Sequence, residues 1–281
     1  MSILTPDFWD QQWQAFIKRN RRSGESHESP EFWNRKAASF ARSTMEGKSS
    51  RTEGTLGFLR QAGVRLGNAR ILDVGCGTGV FALPFTELGA RVTAIDSSTE
   101  MLALLQAHIP EKLQSRLETV ELDWLEADIE ACQWPKAFDL VFAANCPAIR
   151  SLATLEKMCR CSREWCFYGG FSGPRQYELY NEAYFRVYGK AYPNHFNDVI
   201  FPFNILYALG FKPQMSFLET EGIQEESADN FRSELQSIFP VQEGSSLRVE
   251  KVINEVIQEN LKEGMVRQRV RSSIGLIAWR V

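Results

Sequence analysis

The stretch Ile71–Gly79, which reads ILDVGCGTG, joins a short apolar run to a glycine-rich turn. A turn of this kind between a strand and a helix lets the backbone approach a ligand and directs amide N–H groups at its oxygen atoms. Gly75 and Gly77 fit the G-x-G-x-x-G spacing of dinucleotide-binding loops. Val80, however, stands where the third glycine belongs, and Gly79 comes one position early. The stretch therefore predicts a ligand-binding turn that differs from the NAD type.

Asp73 is the second unusual feature of this turn. It lies two residues before Gly75, inside the predicted strand end, where dehydrogenases usually place an apolar residue. A carboxylate at this position attracts a ligand that carries positive charge, and it repels the pyrophosphate of NAD because like charges at short range are unfavourable. A structural strand–turn–helix without a ligand is the alternative, which the Asp-x-Gly-x-Gly-x-Gly spacing disfavours.

The next predicted strand, RVTAID, ends in Asp96, which Ser97 and Ser98 follow. A carboxylate at the C-terminal end of this strand can accept hydrogen bonds from both hydroxyls of a ribose. Asp96 can equally cap the following helix, as can either serine. Met101 comes shortly after and can lie over an adenine face, although a plain core methionine would have the same position.

The third predicted strand ends at Asp123-Trp124. The carboxylate can read the edge of an adenine while the indole shields the ring face. A surface aspartate beside a packing tryptophan is the alternative.

The fourth strand runs into Asn145-Cys146-Pro147-Ala148, and the end of such a strand is where open α/β sheets bind the reacting group. Asn145 is therefore a candidate catalytic residue, with a loop-capping amide as its competitor.

Strand patterns alternate with helical patterns from Arg70 onward. The predicted strands are ILDVG, RVTAID, LETVELD, FDLVFAAN and EWCFYGG, and the predicted helices span 80–88, 99–107 and 152–160. This alternation predicts a parallel sheet with helices on both faces. Before residue 67 the chain reads as helices, one of which has Ser29 as its N-cap and Pro30 at its first position. After the aromatic segment of about 174–210 we expect a strand at 213–220, a helix at 248–262 and an antiparallel terminal strand at 269–281.

Composition limits the class of protein. The chain has 281 residues with a formal net charge of −3, so no basic surplus favours a nucleic-acid partner. The N-terminus lacks the pattern of a signal peptide, and no apolar run reaches the roughly 18 residues of a membrane span. Cys159, Cys161 and Cys166 form C-x-C-x4-C, which allows a metal site, but no second ligand pair follows. We expect reduced thiols, no metal and a cytoplasmic protein.

Together these motifs resemble motifs one to four of the class I S-adenosylmethionine-dependent methyltransferases. The resemblance covers roughly residues 67–172. It implies a Rossmann-like, doubly wound, seven-stranded and mostly parallel α/β sheet with an antiparallel terminal strand. It also implies that S-adenosylmethionine is the cofactor and S-adenosylhomocysteine the product. The positions implied to bind the cofactor are Asp73, Gly75, Cys76, Gly77, Gly79, Asp96, Ser97, Met101, Asp123, Trp124 and Asn145.

The same resemblance predicts a domain organisation. Residues 1–66 would be an N-terminal helical cap, and residues 67–281 the cofactor-binding domain with a substrate-side insertion at about 174–210. The helix FWNRKAASF would present Trp33, Lys36 and Phe40 to the site. An amphipathic helix that buries these aromatics needs no ligand, so a purely structural helix is the alternative.

The acceptor of the methyl group is less well indicated. Asn145 and Pro147 match only two positions of the Asn/Asp-Pro-Pro-aromatic signature of amino-methylating members. His195, in the variable segment after the fifth strand, is the candidate general base, with a structural histidine as the alternative. We predict methyl transfer to a small molecule, without a nucleic-acid or membrane partner. A macromolecular acceptor such as tRNA or protein, and a non-catalytic cofactor-binding module, are the alternatives; the sequence does not indicate an oligomeric state.

Overall fold

The computed structural model describes residues 5–20, 29–45, 50–192, 198–239 and 246–281. The chain divides into two compact units. The first unit comprises residues 1–171, 197–218 and 274–281, and the second comprises residues 172–196 and 219–273. Among the described residues, no helix combines the length and apolar character needed to cross a membrane. The same residues contain no group of three or more His, Cys, Asp or Glu side chains placed to hold a metal ion.

Three helices precede the sheet in the first unit: α1 (Pro6–Asn20), α2 (Pro30–Met45) and α3 (Ser50–Ala62). The start of α2 agrees with the sequence prediction. Ser29 Oγ accepts the backbone N–H of Phe32 at 3.2 Å, and Pro30 occupies the first helical position. Proline is favourable there because its φ is already helical and its missing N–H would have no partner in the helix.

Alternating strands and helices then form the sheet, as the sequence predicts. The strands are β1 (Arg70–Val74), β2 (Arg91–Asp96), β3 (Leu117–Glu121), β4 (Phe138–Ala144) and β5 (Ser162–Tyr177). The helices between them are α4 (Ala82–Glu87), α5 (Thr99–His108), a 3-10 helix (Glu111–Arg116) and α6 (Leu152–Cys161). Strand β3 is two residues shorter than predicted, because residues 122–127 leave the sheet in turns.

Parallel pairing fixes the centre of the sheet. Strand β1 lies between β2 and β4, with Asp73 opposite Ala94 on one side and Phe142 on the other. With β6 (Gln214–Ser227), β7 (Leu261–Lys262) and β8 (Met265–Arg280), the described residues form an eight-stranded sheet in the order β3-β2-β1-β4-β5-β8-β6, and β7 pairs with β8 beside this order. This order confirms a mostly parallel sheet with an antiparallel terminal strand, and the short β7 is one strand more than the seven predicted. The chain order therefore reverses direction between β1 and β4. Ligands of open α/β sheets bind at such a reversal, beyond the carboxyl ends of the strands.

The two faces of the sheet are buried in separate hydrophobic clusters. Ile71 and Leu140 lie in the cluster on one face, and Leu72 and Val141 lie in the cluster on the other. All four side chains are fully buried. Successive strand residues point to opposite faces, so continuous apolar runs such as ILDV are explained by helices covering both sides.

The C-terminal part of the chain departs from the sequence prediction in several places. Its elements are α7 (Glu178–Tyr188), α8 (Ile200–Ala208), β6 (Gln214–Ser227), α9 (Ala228–Ile238), α10 (Ser246–Asn260), β7 (Leu261–Lys262) and β8 (Met265–Arg280). Strand β6 continues well past the predicted end at 220, and helix α9 was not predicted. Helix α10 ends two residues early because the chain turns there into β7, which pairs antiparallel with β8.

Charge explains why the second half of β6 was missed. Its ETEGIQEES sequence has no apolar alternation. In the second unit, Glu221 Oε2 accepts from Arg271 Nε at 2.7 Å, and Glu225 Oε1 accepts from Arg267 Nε at 2.8 Å. Opposite charges on facing strands stabilise the pairing in place of apolar contacts. Such pairing involves residues far apart in sequence, so a local pattern cannot indicate it.

Tyrosines of the aromatic segment pack in a hydrophobic core cluster of the second unit. Tyr180 and Tyr184 of α7 are buried in a core cluster of the second unit, together with Tyr192, Phe231 and Ile253. The rings of Tyr180 and Phe231 have centroids 5.6 Å apart. These tyrosine rings therefore form a packed face of the second unit.

Candidate functional site

The glycine-rich turn follows β1 directly and is held against the end of β2. The backbone N–H groups of Gly75 and Cys76 both donate to the carbonyl oxygen of Ile95, at 2.9 and 3.0 Å. The N–H of Gly79 donates to the carbonyl of Cys76 at 3.0 Å and closes the turn. All three glycines of the motif have positive φ, at 69° for Gly75, 54° for Gly77 and 86° for Gly79. This left-handed conformation favours glycine over any residue with a Cβ.

Packing around the turn adds a second requirement for glycine at two positions. A Cβ on Gly75 would lie 2.5 Å from Cys146 Sγ, and one on Gly79 would lie 2.3 Å from Leu105 Cδ1. A Cβ on Gly77 would instead meet only Phe40 Cε1 at 3.6 Å and Met101 Sδ at 4.0 Å. The turn therefore packs against Cys146, just after β4, at one end and against α5 at the other, whereas its middle has looser contacts with α2 and α5.

Asp73 lies at the start of this turn and is almost fully buried. Burial and the nearby carboxylate of Asp96 raise the pKa of the carboxyl, a hydrogen bond from the backbone N–H of Ala82 opposes them, and the resulting pKa is about 8. Its Oδ2 atom has no hydrogen-bond partner among the residues that the structure describes. A buried acceptor in this state is costly, and a cationic donor is the group that would stabilise it best.

Asp96 joins the end of β2 to the glycine turn. Its Oδ2 accepts the backbone N–H of Gly77 at 2.8 Å, and its Oδ1 accepts that of Ser98 at 2.9 Å. Burial raises the pKa of Asp96, and the N–H groups of Ser98, Gly77 and Ser97 lower it. The N-cap of α5 is Ser98, whose Oγ accepts from the N–H of Met101 at 3.2 Å. The carboxylate of Asp96 is thus available for a role other than capping the helix.

Helix α2 is anchored beside this carboxylate by Asn34. Ser98 Oγ donates to Asn34 Oδ1 at 2.7 Å, and the backbone N–H of Glu100 donates to the same atom at 3.3 Å. Phe40 of α2 lies next to Gly77, with the ring of Trp33 edge-on to it at 6.3 Å, whereas Lys36 is exposed. Sequence reasoning missed Asn34; the only available signal was a polar residue within the otherwise amphipathic FWNRKAASF helix.

The turn after β3 brings Asp123 to the same edge of the sheet. The N–H of Leu122 donates to the carbonyl of Asp96 at 3.0 Å. Asp123 Oδ1 accepts the N–H of Leu125 at 2.8 Å. Trp124 is buried in the core cluster, with its ring under Lys157 Nζ at 5.3 Å. The structure therefore places this indole as a packing residue, and its predicted role over an adenine remains a prediction.

Lys157 of α6 fixes this turn and was not indicated by the sequence. Its ammonium donates to the carbonyl oxygens of Trp124 at 2.7 Å, Leu125 at 3.2 Å and Ala127 at 3.1 Å. A charged donor to three carbonyls holds a turn that lacks a regular hydrogen-bonding pattern. The position of Asp123 therefore depends on a residue that lies more than thirty positions later in the chain.

The end of β4 places Asn145 and Cys146 beside the glycine turn. Asn145 has φ of 52°, its N–H donates to the carbonyl of Gly169 at 2.7 Å, and its Oδ1 is buried without a hydrogen-bond partner in the described part of the chain. Burial raises the pKa of the Cys146 thiol to about 12. Burial also raises the pKa of Cys76, with smaller contributions from Asp73 and Asp96. Neither thiol is activated as a nucleophile.

Helix α1 closes the same side of the first unit. Asp10 Oδ1 accepts the backbone N–H of Leu152 at 2.8 Å, and Gln14 Nε2 donates to the carbonyl of Arg150 at 2.7 Å. The indole of Trp13 packs edge-on against the ring of Tyr168 at 6.5 Å. His195, the predicted general base, lies outside the described residues.

Comparison with known proteins agrees with this geometry. A family model described as "Methyltransferase domain" matches residues 71–170, which are the residues that carry β1 to β5 and the glycine turn. A crystal structure of a Bacillus halodurans C-125 protein, suggested to be a methyltransferase, superimposes with a TM-score of 0.51. That match covers 81% of this chain and 98% of the other at 18% identity, so it shows a shared fold.

Two relatives match by sequence. An uncharacterised protein of Haemophilus influenzae is 29% identical over 67% of this chain and 66% of its own length. A ubiquinone biosynthesis O-methyltransferase of Xanthomonas campestris pv. campestris is 39% identical over 28% of this chain and 32% of its own length. The aligned parts thus span just under two thirds of the first relative and about a third of the second. Residues 71–170 therefore match a methyltransferase domain, in agreement with the resemblance of the sequence motifs to the class I S-adenosylmethionine-dependent methyltransferases.

Proposed function

We propose that this chain transfers the methyl group of S-adenosylmethionine to a small-molecule acceptor and releases S-adenosylhomocysteine. The observation that carries the proposal is the buried Oδ2 atom of Asp73, which lacks a hydrogen-bond partner in the described chain at the start of a glycine turn. S-adenosylmethionine has an ammonium group whose positive charge would favour ionisation of this carboxyl and pair with it. When bound, the cofactor supplies a methyl group activated by a sulfonium.

The remaining cofactor contacts follow from the strand ends. Asp96 would accept hydrogen bonds from the ribose hydroxyls, because a carboxylate has about four acceptor sites and the N–H groups of Gly77, Ser98 and Ser97 do not fill them all. Asp123 would accept a hydrogen bond from the adenine edge. Met101, 2% exposed and beside Gly77, would pack against the adenine face.

Positioning is the main task that the protein must perform in such a transfer. Holding a nucleophile in line with a reactive carbon can supply much of the acceleration, because the leaving group is already activated. We assign Asn145 to this task, since its side-chain oxygen is buried at the end of β4 and the strained φ of 52° fixes its direction. His195 is retained as the candidate base for acceptors that must first lose a proton.

We also propose the domain roles that the sequence predicts. Residues 1–66 would act as the cap over the cofactor, which is supported within the first unit by Phe40 beside Gly77 and by Asn34 on Ser98. Residues 67–281 would form the catalytic domain, with the segment of about 174–210 on the acceptor side.

A small-molecule acceptor is favoured over tRNA or protein by two observations. The formal net charge of −3 gives no general attraction for phosphate backbones. One relative, over the 82 residues that match, is a ubiquinone biosynthesis O-methyltransferase, and the name of that protein indicates a small acceptor. The cytoplasm is the location that we propose for the protein, in keeping with its unpaired cysteines.

The assignment of Asp73 is tested with two ligands that differ in the amino-acid moiety. We expect Asp73→Asn to weaken S-adenosylhomocysteine binding about tenfold to a hundredfold, because a charge-assisted pair contributes about 1.5–3 kcal/mol. Binding of 5′-methylthioadenosine, which lacks the ammonium group, should be unchanged. Isothermal titration calorimetry measures both affinities. Equal losses for the two ligands, or no loss for either, would contradict the assignment.

The acceptor is tested with labelled cofactor in a native cell extract. After incubation with wild-type protein, the fraction that passes an ultrafiltration membrane should contain methyl label in a compound that chromatography separates from S-adenosylmethionine. Asp73→Asn protein serves as the matched control. Label retained with RNA or protein would favour a macromolecular acceptor, and tight cofactor binding without label in any fraction would favour a non-catalytic module.

A further inference from the structure

The C-x-C-x4-C motif brings two of its cysteines together in the first unit. Cys159 lies near the end of α6, and Cys166 lies in β5, which starts directly after that helix. The thiol of Cys166 lies beside the sulfur of Cys159 and interacts with it. Cys161 is buried separately. The pair is thus a contact between a half-buried thiol and a fully buried one.

Two further groups surround the sulfur of Cys159. Trp279 of β8 donates its indole Nε1–H to Cys159 Sγ at 3.3 Å. Lys136 places its ammonium 3.2 Å from the carbonyl oxygen of the same residue. The neighbouring Cys166 thiol, the indole N–H of Trp279 and the charge of Lys136 lower the pKa of Cys159, although burial opposes them. Donors and a cation around one sulfur favour its thiolate form.

We propose that Cys159 and Cys166 form a redox pair, in which a hydroperoxide oxidises Cys159 and Cys166 closes a disulfide. The geometry carries this inference, because Cys159 Sγ accepts the indole N–H of Trp279 at 3.3 Å, lies beside Cys166 and is the more accessible sulfur of the pair. The inference is independent of the methyl acceptor and of cofactor binding.

The chemistry is balanced with the hydroperoxide as the oxidant. The Cys159 thiolate attacks one peroxide oxygen, the O–O bond breaks, and the other oxygen leaves as hydroxide, which becomes water from hydrogen peroxide. The resulting sulfenic acid is attacked by the sulfur of Cys166, whose proton goes to the departing hydroxyl. The S–O bond breaks, the S–S bond forms, and a second water leaves. Two thiols are oxidised by two electrons in total, and one peroxide is reduced.

The test compares the wild-type chain with serine variants under hydrogen peroxide. Wild-type protein should lose two of its six thiols, and peptide mass spectrometry should find Cys159 linked to Cys166 by a bond that dithiothreitol reverses. Cys166→Ser should stop at the sulfenic acid, detected as a dimedone adduct on Cys159. Cys159→Ser should slow thiol loss at least about tenfold, because the thiolate is the reactive species.

Cys132→Ser is the matched control, since Cys132 is also half-buried but takes no part in the pair. This variant should behave as wild type. Trp279→Phe, which keeps a large ring and removes the N–H donor, should slow formation of the disulfide without preventing it. Thiol loss that is unchanged in Cys159→Ser, or a linked peptide that involves another cysteine, would overturn the proposal. Circular dichroism of each serine variant verifies that the fold is retained.

Discussion

At the scale of single residues, Asp96 accepts backbone hydrogen bonds from both the glycine turn and the start of α5. We expect Asp96→Ala to weaken S-adenosylhomocysteine binding by about 1–3 kcal/mol, because the ribose loses its acceptor and the Gly77 N–H loses its partner. Unlike Asp73→Asn, this change should weaken 5′-methylthioadenosine as well. Titration calorimetry with both ligands measures the difference.

Asp128 provides the control for that experiment. Its Oδ1 accepts the N–H groups of Glu130 at 3.0 Å and Ala131 at 3.1 Å, so it has a similar local role in another turn. Asp128→Ala should leave both affinities unchanged. If Asp96→Ala also left them unchanged, Asp96 would have no part in the cofactor site.

The two carboxylates show which residues the sequence could indicate. Asp73 and Asp96 stand at the ends of predicted strands, so their types and spacing were sufficient to select them. Asn34 and Lys157 could not be selected in this way, because each contacts residues that are 30 or more positions away. Asn34 accepts a hydrogen bond from Ser98, and Lys157 donates hydrogen bonds to the turn that follows Asp123. A contact of this kind exists only once the chain has folded.

At the scale of elements, the glycine turn packs closely against helix α5 at Gly79. We expect Gly79→Ala to lower the free energy of unfolding by about 1–3 kcal/mol, since the new Cβ would lie 2.3 Å from Leu105 and φ is 86°. Gly57→Ala is the matched control. Gly57 lies in α3 with open space around its Cα, so alanine there should stabilise the helix by about 0.5–1 kcal/mol. Urea denaturation distinguishes the two signs, and similar effects would refute the packing argument.

Helix α6 stabilises the turn that carries Asp123. We expect Lys157→Met to lower the free energy of unfolding by about 1–3 kcal/mol, because three carbonyl oxygens lose a charged donor. S-adenosylhomocysteine affinity should fall together with stability if Asp123 contacts the adenine. Lys112→Met, on the exposed 3-10 helix, should change neither quantity. A stable Lys157→Met protein with normal affinity would show that the turn does not depend on this ammonium.

At the scale of the whole molecule, the buried carboxyl of Asp73 links stability to pH. The unfolded chain releases this proton near its ordinary pKa of 3.8, whereas the folded chain retains it to about 8. Unfolding therefore releases a proton between these values, and raising the pH favours unfolding. We expect the wild-type free energy of unfolding to fall by up to about 1.4 kcal/mol per pH unit in this window. Asp73→Asn should have a flatter profile when urea denaturation is repeated at pH 5.5, 6.5 and 7.5. Parallel profiles for the two proteins would contradict the raised pKa.

The sequence by itself determined the sheet of the first unit and the edge at which we propose that the cofactor binds. A continuous apolar run that ends in Asp or Gly predicts a buried parallel strand without information from the rest of the chain. Strands β1 to β5, the glycine turn and Asp96 could therefore be identified from the order and spacing of residue types. The antiparallel terminal strand followed from the resemblance to the methyltransferase family.

Only the tertiary structure decided which long-range contacts complete these elements. The second half of β6 depends on the pairing of Glu221 and Glu225 with arginines of β8, and the orientation of α2 depends on Asn34. Trp124 is packed in the core cluster, and the sulfur of Cys159 accepts the indole N–H of Trp279. The physical reason is the same in each case: a side chain's role is set by the groups that surround it in the folded chain, and a pattern within one segment carries no information about those groups.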